Sequence, residues 1–163
     1  MKREEFDQKC NVSKEYLQYR EQVIRYTYKD MNLQLENDEQ VYIAVFDIPL
    51  KSNILGFQTQ TLALVFGLNT HIYHGSGRVL VGLEKNPDVM KAMQSLLVSS
   101  HQVLKYMEIT DNVDFYNSDK VRAYLKTRKG IYFKEIAGNC KEDEFLLGLM
   151  NYVLGEIGKH TKG

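Results

Sequence analysis

Between residues 41 and 83 the chain carries only three charged side chains, Asp47, Lys51 and Arg78, in 43 positions; the other 120 positions hold the remaining 39 charges. A stretch that sheds charge, favours β-branched and aromatic residues and is punctuated by glycine reads as the buried sheet of one globular domain. The whole chain, 163 residues long, is enough for one sizeable core and short for two. A single domain over 1–163 is therefore expected, with 1–10 and 159–163 as frayed tails.

Basic and acidic residues balance at 21 each, so no global field draws the protein to nucleic acid or to an anionic membrane. The start, MKREEFDQK, lacks an apolar core for a signal peptide. The longest apolar run, Thr61 to Leu68, falls far short of the roughly 20 residues that span a bilayer. A cytoplasmic protein without membrane contact is expected. Cys10 and Cys140 lack metal-site spacing and make no disulfide framework, so both read as free thiols.

The first element reads as a helix capped by Ser13. Leu17, Ile24, Tyr28 and Met31 form one stripe, predicted to pack on the sheet; Tyr16, Tyr19, Val23 and Tyr26 form a second beside it. Residues 31–35 also alternate as a strand would. VYIAVFDI (41–48) is the clearest strand, ended by Pro49, and residues 50–56 read as a loop. Further strands are expected at 58–66, 70–73 and 78–83, the last two joined through His74-Gly75-Ser76-Gly77 as a hairpin. Asn86-Pro87-Asp88 opens a helix with an N-cap, a first-turn proline and an acid. Ser99-Ser100 interrupts that helix or re-caps a second segment. A short strand at 113–116, a helix over 118–129, a strand at 131–136 and a closing helix over 141–157 complete the reading. The fold class is α+β: a mostly antiparallel sheet of four to six strands, packed with helices on one face in a two-layer sandwich.

Motifs for chemistry are sparse. The tetrad at 74–77 lacks the spacing of a phosphate loop or a nucleophile elbow, and its glycines suit a hairpin. His71 and His74, three apart on an extended segment, point to opposite faces and chelate poorly. Asp47 ends the best strand inside the charge-poor stretch; a turn-capping role is the simpler reading, a catalytic one the sharper. No catalytic residue, cofactor or metal is assigned.

Two surfaces stand out. Lys120, Arg122, Lys126, Arg128, Lys129 and Lys134 face only Asp119 in acid, with Tyr124 and Tyr132 interleaved. A basic helix 118–129 of this kind suits an acidic protein partner or single-stranded nucleic acid, or is simply a solvated face. Tyr16, Tyr19 and Tyr26 suit a docking face, because tyrosine is large, rather rigid and amphipathic.

The leading function is a small non-catalytic interaction protein of accessory, inhibitor or immunity type. It would bind a protein partner or itself, including as a homodimer, through the tyrosines, the basic helix or a sheet edge. Two alternatives stand: a nucleic-acid or other polyanion binder through 118–129, and an enzyme or small-ligand protein with a site near Asp47, His71, His74 and Ser76.

Overall fold

The computed structural model describes residues 12–52, 56–66 and 69–161; Cys10 lies outside them. Among these, seven strands form one antiparallel sheet: β1 (Ile43–Ser52), β2 (Gly56–Val65), β3 (Asn69–His74), β4 (Val79–Leu80), β5 (Glu108–Thr110), β6 (Val121–Thr127) and β7 (Gly130–Ile136). Their order is β4-β3-β2-β1-β6-β7-β5. The charge-poor stretch supplies β1 to β4, the part of the sheet it was expected to form; the strand count of seven exceeds the expected four to six. β4 is the strand expected at 78–83, shortened to two residues; the strands not expected are the three-residue β5 at the edge and β6.

Three helices pack on this sheet: α1 (Lys14–Arg25), α2 (Pro87–Ser99), continued by a 3-10 segment Ser100–Tyr106, and α3 (Lys141–Thr161). The α2 start follows the expected logic, with the Asn86 side chain accepting from the N–H groups of Asp88 and Val89. α3 runs on to Thr161, into the stretch expected as a tail.

β1 alternates between two cores. Ala44, Phe46 and Ile48 face α2 and α3, meeting Leu62, Ile72, Met93, Leu96 and Met150. Ile43 and Val45 face the other way, toward Tyr16, Val23, Ile24, Ala63 and Tyr124. Because both faces are buried, 41–46 reads as a continuous apolar run and not as an alternation. The second face is covered by α1, placed opposite α2 and α3, together with apolar side chains from 28–35 and from Val113 and Phe115.

Several local expectations are corrected. α1 stops at Arg25, because the chain turns through 27–32 with Asn32 at φ 57°, and 31–35 forms no strand. The segment 113–116 forms no strand. β1 passes through Pro49 to Ser52 on its β2 side, whereas its pairing with β6 ends at Asp47 opposite Arg122. A proline cannot donate to a ladder, so β6 has no partner there.

The largest correction concerns 118–129. No helix forms; β6 and β7 make a hairpin turning through Arg128-Lys129-Gly130, where Gly130 has φ +143°. Arg122 and Lys126, four apart on β6, both point to the face of the sheet under α1, so they do not contribute to a solvated basic surface. Arg122 is 1% exposed. Lys126 lies under α1 and donates to the carbonyls of Ile24 (2.9 Å) and Tyr26 at the helix's last turn. Arg128 holds Asp38. Lys120 and Lys129 remain exposed on the surface. Among the described residues no helix is long and apolar enough to cross a membrane.

Candidate functional site

The face of the sheet under α1 carries a polar row across five strands. Tyr73, Thr61, Asp47, Arg122 and Glu135 stand in register on β3, β2, β1, β6 and β7. Asp47 does not cap a turn. It is fully buried and bound by Arg20 of α1, whose Nε donates to both carboxylate oxygens at 3.0 Å and whose Nη2 donates at 2.8 Å. Arg20 Nη1 donates to the Val113 carbonyl, and the guanidinium lies between the rings of Phe115 and Tyr124, 5.6 and 5.2 Å from their centroids. Burial alone would weaken the guanidinium's hold on its proton, but the Asp47 carboxylate more than reverses this.

Tyr16 joins the same network. Thr61 Oγ1 donates its only proton to Asp47 (2.7 Å), so the Tyr16 hydroxyl, 2.5 Å from Thr61 Oγ1, is the donor to it. Tyr16 is 0% exposed and belongs to the core, not to a docking face. Its phenol pKa is raised by burial and then by the Asp47 charge. Leu17, expected to pack on the sheet, points outward instead. The whole helix is rotated from the expected orientation because Arg20 must reach Asp47, and Tyr16 lies on Arg20's face, one turn before it.

Ser13 fixes the other end. Its side chain accepts from the Tyr16 N–H, and its own N–H donates to the Gly75 carbonyl at 2.7 Å. Gly75 is held against β2, where a Cβ would come within 2.9 Å of Thr59 Cγ2. Residues 74–77 thus form the expected hairpin and also seat the start of α1.

The nominated enzyme residues do not converge. Asp47 is engaged by Arg20 and Thr61; His71 lies in a cleft beside α1; His74 closes the hairpin with Arg78 through backbone bonding. Among the described residues no group of three or more His, Cys, Asp or Glu converges as a metal set would.

That cleft, about 210 Å³, lies between α1 and β3, with Tyr19, Gln22, Tyr26, Asn69, His71 and Tyr73 in its lining; a smaller hollow of about 120 Å³ lies near Tyr116, Tyr124 and Phe133. Tyr19 stacks on Tyr73 (5.7 Å between centroids, 26° between planes), and Tyr73 stacks on His71 (5.9 Å, 28°). His71 Nδ1 is buried without a hydrogen-bond partner. Burial lowers the pKa of the imidazole, only partly offset by Glu84, and so favours its neutral form. β4 covers β3 only at Ile72 and Tyr73, so residues 69–71 lack a strand neighbour on that side; the Glu84 carboxylate accepts the Thr70 N–H instead. Tyr19 and Tyr26 were legible in the sequence, whereas Asn69, Tyr73 and Gln22 were not nominated. A larger hollow of about 300 Å³ lies near Glu36, Glu39, Phe66 and His101. There His101 Nδ1 is already satisfied by the Val98 carbonyl.

Burial of the phenols around this face gives an alkaline signature. Tyr73 and Tyr124 are each pushed up to about 12, mainly by desolvation, with Tyr19 and Asp47 adding respectively. A phenol whose pKa is raised on folding stabilises the fold fully below its free value of about 10, and that contribution is lost as pH climbs through the folded value. The denaturation midpoint is therefore expected to fall between about pH 10 and about pH 12. Lys126, pushed down to about 8 by burial and Arg25, acts in the opposite sense below that window. Denaturant titrations followed alongside tyrosinate absorbance check this. A flat midpoint, with all phenols ionising near pH 10 in the folded protein, contradicts it.

A scan against protein-family models found no match, and searches of curated proteins and of solved structures found none either.

Proposed function

We propose that this chain is a non-catalytic binding protein that takes a protein partner at the α1–β3 cleft. The observation that carries the reading is the ring ladder Tyr19–Tyr73–His71 that lines the cleft. The volume decides what kind of ligand. Small-molecule sites span roughly 300–1,000 Å³; this cleft, at about 210 Å³, suits one inserted side chain. Because burial favours neutral His71, the complement is a neutral hydrogen-bonding side chain, flat enough to lie against the rings. Tyr19 and Tyr26, each about two-fifths exposed, provide the amphipathic rim that interfaces favour.

Catalysis is not part of the reading, since the one buried carboxylate of the site is bound to Arg20. The test is capture of the partner from native lysate, followed by titration with the purified partner. Tyr19→Ala with Tyr26→Ala, and separately His71→Phe, are expected to weaken binding by about tenfold or more while the melting temperature holds. Unchanged affinity in both variants would remove this surface from consideration.

A further inference from the structure

The outward face of α3, on the side of the sheet away from the cleft, has its own pattern. Leu146, Met150, Val153 and Ile157 bury one side of the helix. Diametrically opposite, at 100° per residue, stand Gly148 and Gly155. Apart from the chain neighbours and the helix's own nearby backbone, no described atom lies within 4 Å of where a Cβ would be placed on either. Neither has a positive φ, so the backbone does not demand glycine. Glycine is disfavoured in a helix interior, and no contact within the monomer offsets the choice. Beside them, also seven residues apart, Phe145 and Tyr152 are 38% and 40% exposed.

We propose that this face is where two copies of the chain pack, helix against helix and antiparallel, about a twofold axis between Asn151 and Tyr152. A seven-residue repeat keeps one stripe facing a partner helix along its length. Glycine at the seam lets two backbones approach closely, and the flanking rings then bury against the copy. Charge selects the direction. In the antiparallel register Gly148 lies opposite Gly155 of the second copy, and the same register brings Glu144 level with Lys159 of the second copy, twice by symmetry. A parallel pair would set Glu144 against Glu144 and Lys159 against Lys159. Lys159 is 69% exposed, and its partner within the chain, Glu156, is a turn away on the same helix. The face is thus complementary to itself, as a twofold contact requires.

Sedimentation velocity and light scattering on the full chain over a concentration series provide the test. The expected result is a reversible dimer. Gly148→Gln with Gly155→Gln, which adds bulk in open space and improves helix propensity, weakens the dimer by about tenfold or more without lowering the melting temperature. Glu144→Lys and Lys159→Glu each weaken it, and the two together restore it. A monomer at every concentration overturns the proposal. So does a dimer indifferent to the glutamine pair, or one that the combined charge exchange fails to restore. The cleft between α1 and β3 is on the opposite face of the sheet, so partner binding there is unaffected by these variants.

Discussion

Asp47→Ala is expected to remove about 3–5 kcal/mol of unfolding free energy, the cost of stranding a buried charge. Arg20 is 2% exposed and held between two rings, so it has no route to water without undocking α1. Thr61 loses its acceptor as well, and the Tyr16–Thr61 link loses its orientation. Arg122 aggravates the loss. It is buried directly across from Asp47, its Nε has no partner, and its other nitrogens hold the carbonyls of Lys120 and Tyr116. Without Asp47, two buried guanidinium groups share this face with no buried carboxylate between them. The paired change Arg20→Met with Asp47→Leu removes both charges and is expected to be far milder, near neutral in a well-packed case. Urea titrations of the two single variants and the double one give the coupling directly. A loss below about 1 kcal/mol for Asp47→Ala would show that the pair does not hold α1 to the sheet.

On the other face, Phe46→Ala is expected to cost about 3–5 kcal/mol. Phe46 is 0% exposed and lies at the centre of the sheet, between Leu62 on β2 and Ala123 on β6. The neighbours decide where in that range the loss falls. Ala123 and Ala92 have no side chain long enough to enter the void, and the strands on both sides fix the backbone. The site therefore collapses poorly, which favours the upper half of the range. Leu17→Ala, on the exposed side of α1, serves as the comparison and is expected to change stability by less than about 0.5 kcal/mol. Equal losses from the two substitutions would contradict the assignment of Phe46 to the core and Leu17 to the surface.

Much of this architecture was legible because it is written in local composition. The charge-poor stretch marks β1 to β4, and Asn86-Pro87-Asp88 marks the start of α2 to the residue. Two kinds of feature were not legible. In 118–129 the density of positive charge suggested one solvated face, yet the segment is a strand whose α1-facing side is buried, and Arg122 and Lys126 both point to that side. The signal that distinguishes the cases is the break at Arg128-Lys129-Gly130 followed at once by the apolar-rich 131–136, which is a hairpin pattern. The orientation of α1 was hidden for a different reason. Two apolar stripes were available, and the choice between them is made by Arg20, a residue that reads as solvent-exposed until its partner 27 positions away is known. The one hint was Asp47 itself, since a lone acid within a strand buried on both faces requires a counter-ion. The cleft combines α1 with β3, and no local pattern announces a site assembled from elements so far apart.

The strand order also has a consequence for how the protein is made. β1 is central, yet one of its two neighbours, β6, begins about seventy residues after β1 ends. At a synthesis rate of about 5–20 residues per second, the ribosome releases β1 and β2 several seconds before β6 exists. During that interval the nascent chain presents the backbone edge of its most apolar strand, with Asp47 at the end of the β6-pairing stretch. Neither short edge strand of the finished sheet has this exposure. The vulnerable moment in the life of this molecule is therefore during translation, and the demand for a chaperone falls there.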